Sequence, residues 1–105
     1  MYPMSGVSVI GKRLKQARTR AGLSQRQLGI EAGIDPFSAS PRINQYERGK
    51  HTPDYATTKR LATVLGVPTP YLYAEEEDLA EIILRFGELS KRLKKKALSK
   101  MESLT

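Results

Sequence analysis

Apolar and small residues Ile10, Leu14, Ala17 and Ala21 recur at three- and four-residue intervals early in the chain, the period of one helix face. Ser8 stands where a cap belongs and Gly22 where a helix stops, so a first helix is predicted over roughly 9–21. In "LSQRQL" (23–28), Ser24 and Gln27 form a capping box, and Leu23 and Leu28 hold the two positions of a hydrophobic staple. A short second helix over 25–32 starts there. Gly33 in "AGI" ends it through the left-handed conformation, and Ile34 returns to the core. "RINQYE" carries a third helix, with Ile43 and Tyr46 inward, Arg42, Asn44 and Gln45 outward, and Gly49 closing it. "TPDYATTKRLATVLG" gives a fourth, with Asp54 as cap, Leu61, Ala62 and Leu65 buried, and Gly66 as stop. Thr69 as cap and Pro70 in the first turn begin a short fifth. Five helices fill 8–74, and no stretch alternates as a strand does.

Beyond residue 74 the period continues. Leu79, Ile82, Ile83, Phe86, Leu89, Leu93, Ala97, Met101 and Leu104 share one face, with acids in the first turn and bases toward the C-terminus. Gly87 and Ser90 divide this tail, Ser90 capping a helix over 91–103. The expected architecture is all-α: a five-helix domain over 8–74 and an amphipathic helical tail over 75–105. So apolar a stripe must be covered, either by its own domain or by a partner. A symmetric dimer through Leu79, Ile82, Ile83, Phe86, Leu89 and Leu93 is the preferred expectation, with another protein as the alternative partner.

Composition narrows the chemistry. The chain has no cysteine and a single histidine, His51, which leaves no disulfide, no thiolate metal site and no nucleophile–base set; no cofactor is expected. The opening "MYPMSGVSVIG" lacks the basic start and long apolar run of a secretory leader, and no window approaches a membrane span. A soluble, cytoplasmic protein that is not an enzyme is expected. The formal net charge is +7, and its distribution is uneven. Residues 1–53 hold nine Lys and Arg against Glu31, Asp35 and Glu47, a balance of +6, which suits a polyanion. Residues 75–90 balance at −5 and residues 91–105 at +5.

A capped short helix, a glycine turn and a third helix with a polar outer face describe a helix-turn-helix. The succession "GLSQRQL", "AGI", Ile43 with "YERGK", Pro53, "LATVLGV" and "YLY" resembles the lambda-repressor-like, Cro-type helix-turn-helix family over roughly 8–74. The resemblance implies double-stranded DNA as partner and a transcriptional regulator, read here as a dimeric repressor on a two-fold-related operator. An antitoxin-type interaction module and a restriction–modification controller are the competing readings. Gln25 lies in the first turn of helix two, where free N–H groups and the dipole favour a phosphate, and the family pattern places such a contact there too. Asn44 and Gln45 carry amides that can pair with an adenine edge, whereas Arg42 suits either guanine or a phosphate. Ser40 and Pro41 fall where the family meets bases, the proline offering only an apolar surface such as a thymine methyl accepts. Arg26, Arg48, Lys50, His51 and Tyr55 complete the phosphate-contacting set, although His51 by itself is an ordinary loop residue. By family position, Glu47 pairs with Arg18 and pins helix three to helix one.

One segment departs from the family. Ile34 and Ile43 are nine residues apart, four more than the family spacing, with "DPFS" as the inserted residues. The expectation is a lengthened connection, after which Ser38 caps a helix from Ala39, or Ser40 caps one from Pro41. Phe37 is expected to fold back and anchor the insertion on the core; the alternative is an exposed aromatic beside the sugar-phosphate backbone.

Overall fold

A computed structural model describes residues 8–105; the opening stretch read above for a leader lies outside the described residues up to Val7. Among the described residues six α-helices run in the order α1 (Val9–Ala21), α2 (Gln25–Glu31), α3 (Pro36–Glu47), α4 (Tyr55–Leu65), α5 (Glu77–Gly87) and α6 (Lys91–Ser103). A 3-10 helix, Thr69–Tyr73, lies between α4 and α5, and there is no strand among the described residues. Among the described residues no helix is long and apolar enough to cross a membrane.

Local chemistry sets these boundaries. The Ser8 hydroxyl accepts from the Gly11 N–H, and Gly22 closes α1 in the left-handed region. Asp54 caps α4 by accepting from the Thr57 N–H, and this backbone hydrogen bond, ahead of the Thr57 side chain, holds its carboxyl below the usual carboxylate range. The short fifth helix is present as a 3-10 helix, but Thr69, expected as its cap, caps nothing. Pro68 precedes it, and the Tyr71 N–H donates to the Pro68 carbonyl at 3.0 Å, the i to i−3 bond of the tighter helix used in short pieces.

The start of α3 also corrects the expectation. The helix begins at Pro36, with Asp35 as its cap accepting from the Phe37 N–H at 2.8 Å, so neither Ser38 nor Ser40 caps it. An acceptor side chain followed by a proline with φ already set is the stronger start signal, and it prevails. The four inserted residues therefore do not lengthen the connection; they add a leading turn of about 6 Å to α3. Pro41 lies inside the helix as a result, and the carbonyl its missing N–H leaves free belongs to Phe37, an exposed residue where water can serve it.

Leu14, Leu28, Ile43, Tyr46, Leu61, Leu65, Tyr71 and Leu72 form the core, joined by small residues that let helices approach. A Cβ on Gly29 would lie 2.7 Å from the Ala39 Cβ, and one on Gly11 2.5 Å from the Glu47 carbonyl oxygen, so glycine at both positions sets how closely α3 seats on α2 and α1. The tail divides as expected at Gly87–Ser90, with the Ser90 hydroxyl accepting from the Leu93 N–H. Its stripe divides too. Ala80, Ile83 and Leu84 pack on the core, which takes Ile83 out of the expected partner face. Leu79 and Ile82 stay exposed, as do Leu93, Met101 and Leu104, and α6 buries no residue. Phe86 is half-buried beneath the Lys94 ammonium, 5.6 Å from its ring centroid.

Arg13 anchors α5 to α1. Its side chain is 2% exposed, and its guanidinium donates to the carbonyls of Ala74 (2.8 Å) and Glu75 (3.1 Å), to Gln16 Oε1 and to Glu77 Oε1. Lys12 Nζ reaches the other Glu77 oxygen at 2.6 Å. These two donors, Lys12 first, hold the Glu77 carboxyl below the usual carboxylate range. A depressed folded-state pKa contributes stability above the unfolded-state value and loses it as pH falls through the folded one. The expected result is a Glu77 carboxyl resonance titrating below ordinary glutamate, with Lys12→Ala raising its midpoint. An unchanged midpoint in that variant, followed by carbon NMR, would remove the assignment.

Candidate nucleic-acid interface

The α2–turn–α3 unit is hydrogen-bonded at the start of α2 and again at the turn itself. Both halves of the Ser24–Gln27 capping box form, leaving the Gln25 and Arg26 N–H groups as the first-turn donors of α2. At the other end Gly33, φ 92°, carries the chain into α3 while the Ile34 N–H donates to the Gly29 carbonyl at 2.9 Å. The connection is only Ala32–Asp35, the short link typical of the motif.

The period of α3 sorts its side chains. At about 100° per residue, buried Ala39, Ile43 and Tyr46 define one side. Phe37, Pro41, Asn44 and Arg48 fall together on the opposite side, with Gln45 at their edge. Ser40 lies on the flank shared with Glu47, toward α2, and is half-buried; Arg42 lies exposed on the other flank. Phe37 does not fold back on the core: at 95% exposure it stands off the leading turn of α3. The reason is geometric, because once Pro36 starts the helix, position 37 is fixed opposite Ala39 and Ile43.

Glu47 and Arg18 meet in a two-pronged pair, Arg18 Nε on Oε2 at 2.6 Å and Nη2 on Oε1 at 3.1 Å, with the carboxylate side chain only 3% exposed. Arg18 also donates to the Leu23 carbonyl at 2.9 Å, which ties the start of α2 into the same contact. Gln25 extends it. Its Nε2 donates to Glu47 Oε1 at 3.0 Å and to Asn44 Oδ1 at 3.2 Å. The side-chain amide expected to reach a phosphate is thus turned inward, and the backbone N–H groups of Gln25 and Arg26 remain for that purpose. This network also sets the Asn44 amide with Oδ1 held and Nδ2 free to donate.

Around this face the exposed cations are Arg26, Arg42, Arg48 and Lys50, with His51 and Tyr55 beside them in sequence and also exposed. Gly49, φ 75°, ends α3, and the Lys50 N–H donates back to the Gln45 carbonyl at 2.9 Å, so the basic segment is fixed to the helix it follows. Not every base in the first half faces solvent. Lys12, Arg13 and Arg18 are engaged with Glu77 and Glu47, so the positive field rests on fewer side chains than the sequence count implies. Arg13 was absent from the expected structural contacts, yet a signal was present: with Ile10, Leu14 and Ala17 it completes the i, i+3, i+4, i+7 positions of the buried face. Gln25 as a bridge left no such signal.

Comparison with known proteins places this geometry. A family described as "Helix-turn-helix domain" matches residues 11–78. The HTH-type transcriptional regulator ImmR of Bacillus subtilis is 34% identical over 68 residues, covering 65% of this chain and 50% of ImmR. The SPbeta prophage-derived HTH-type transcriptional regulator YonR, also of B. subtilis, is 36% identical over 78 residues, covering 71% of this chain and 68% of YonR. The chain thus spans half the length of one curated relative and about two thirds of the other. The crystal structure of transcriptional regulator BswR superposes with a TM-score of 0.83 at 52% identity, over 89% of this chain and 92% of that one. The chain therefore belongs to the helix-turn-helix domain family, a family of DNA-binding transcriptional regulators and not of enzymes.

Proposed function

We propose that this chain is a sequence-specific transcriptional repressor that sets α3 into the major groove of double-stranded DNA and acts as a symmetric dimer. The observation that carries the reading is the outward side of α3, where Asn44 and Gln45 present amides on a helix held by α1 and α2, with cations around it. Asn44 and Gln45 read base edges; Ser40, turned toward α2, has a smaller share. Arg42 on its flank, Arg26, Arg48, Lys50, His51, Tyr55 and the first-turn N–H groups of α2 hold phosphates. With Oδ1 engaged by Gln25, Asn44 acts chiefly as a donor, which favours a purine N7 or another acceptor over a two-bond adenine contact.

The dimer reading rests on the exposed Leu79, Ile82 and Leu93 with half-buried Phe86 and Leu89. Opposite charge balances on 75–90 and 91–105 let the α5 region of one copy face α6 of another. Binding-site selection from random duplexes, followed by salt titration, tests the whole. A two-fold motif is expected, with sequence preference retained as salt rises, whereas a merely basic protein loses all binding together. Asn44→Ala or Gln45→Ala should change the preferred bases. Arg26→Ala or Lys50→Ala should weaken all sites alike and reduce the salt slope. Equal behaviour of the two groups would overturn the division of roles.

A further inference from the structure

Two side chains on the leading turns of α3 make no sense as parts of a folded monomer. Phe37 is a large aromatic at 95% exposure, held on a helix and not on a loop. Pro41, four residues on, lies inside that helix, where it removes a backbone hydrogen bond and crowds the preceding turn. Neither stabilises the helix, and a sequence that tolerates such local conflicts does so most often where another requirement prevails. They are also neighbours, because residues four apart stack on one helix face. That face is the one that carries Asn44 and Arg48, opposite buried Ala39, Ile43 and Tyr46.

From this placement we infer that Phe37 and Pro41 form an apolar reading surface for thymine methyl groups at the leading end of the recognition helix. The inference rests on the proposed DNA binding and names part of what is read. In the major groove the C5-methyl of thymine is the one apolar group on a base edge, and phenyl and small apolar side chains pack on it. N-terminal residues of a recognition helix lie nearest the bases. The inserted "DPFS" extends that end by about 6 Å, one helical turn, so Phe37 reaches base pairs beyond those Asn44 meets. Asp35 reinforces the choice. Its carboxylate is engaged by the Phe37 N–H at 2.8 Å, yet its charge still stands at the tip and disfavours close approach of a phosphate there. The leading turn therefore suits the floor of the groove better than its phosphate walls.

The test uses the full chain and the duplex obtained by selection, with each thymine replaced in turn by deoxyuridine, which lacks only the methyl. Wild-type protein is expected to lose about fourfold in affinity at one or two positions per half-site, the worth of a buried methylene-sized group. Phe37→Ala should bind the thymine duplex more weakly, show no further loss with deoxyuridine at those positions, and melt no lower than wild type because the side chain is 95% exposed. Phe37→Leu, which keeps an apolar side chain, should retain the methyl preference. Indifference of the wild-type protein to every replacement overturns the inference, as does Phe37→Ala with its methyl preference intact. A Phe37→Ala loss that is equal on all sequences and insensitive to deoxyuridine assigns Phe37 to the sugar-phosphate backbone and also overturns it. Failure of the wild-type chain to select any sequence is a different result, and it removes the proposed function itself.

Discussion

Glu47→Ala is expected to lower the melting temperature by well over ten degrees. The substitution leaves the Arg18 guanidinium, 15% exposed, without the carboxylate it grips by two prongs, and leaves the Gln25 amide short of its nearer acceptor. Breaking a buried pair by removing one partner costs about 3–5 kcal/mol, and each kcal/mol is worth about 4–8 °C in a domain of this size. Arg18→Met combined with Glu47→Leu should recover most of the loss, because replacing both partners by apolar groups of similar volume is often near neutral. The double variant should nevertheless bind DNA less selectively, since Gln25 then holds Asn44 without its second anchor. Thermal melts of the three proteins decide the matter, and a single variant that melts with wild type would sink the structural role of the pair.

Arg13→Leu should be comparably damaging, by about 2–4 kcal/mol in urea unfolding, from the two carbonyls of Ala74 and Glu75 left without a donor. Its effect has a direction that Glu47→Ala lacks. Arg13 joins α1 to the segment leading into α5, so its loss should release the tail before the five-element domain unfolds. Brief tryptic digestion ought therefore to nick the variant at Arg85 or within the Lys-rich start of α6 while 8–74 stays protected. Arg13→Lys is expected to fall near the leucine variant, since a single ammonium cannot reach both carbonyls and Glu77 as the planar fork does. Equal protection of the tail in all three proteins would show that the apolar packing of Ala80, Ile83 and Leu84 holds α5 by itself.

Much of this was legible along the chain because the signals are local. Ser8, Ser24, Asp54 and Ser90 cap where their spacing to the following helix predicts, and Gly22, Gly33, Gly49 and Gly66 all adopt positive φ. Burial of Ile43 and Tyr46 followed from period alone. The failures cluster at the insertion, where several caps competed. Asp35-Pro36 outweighed two serines, and one early start rotated Phe37 from the core to solvent. Contacts between distant residues were less visible: Gln25 with Asn44 depends on how α2 crosses α3, which Gly29 against Ala39 determines and no short motif records. The division of the tail stripe was hidden for a related reason. A stripe broad enough to include both Ile82 and Ile83 can serve two surfaces, and only packing shows that Ile83 turns inward while Ile82 does not.

The chain of hydrogen bonds that runs from Asn44 through Gln25 and Glu47 to Arg18 makes the outward side of α3 unequal in its capacity to change. A new residue at 44 disturbs groups that hold three helices together, so a change of the base preference proposed for it carries a folding penalty. Phe37 and Pro41 have no such ties, and substitution at 41 even relieves the helix. On the proposed reading, new sites can be acquired at the leading turn while the inner position stays constant, and the inserted turn gives the chain a place to diverge without endangering its fold.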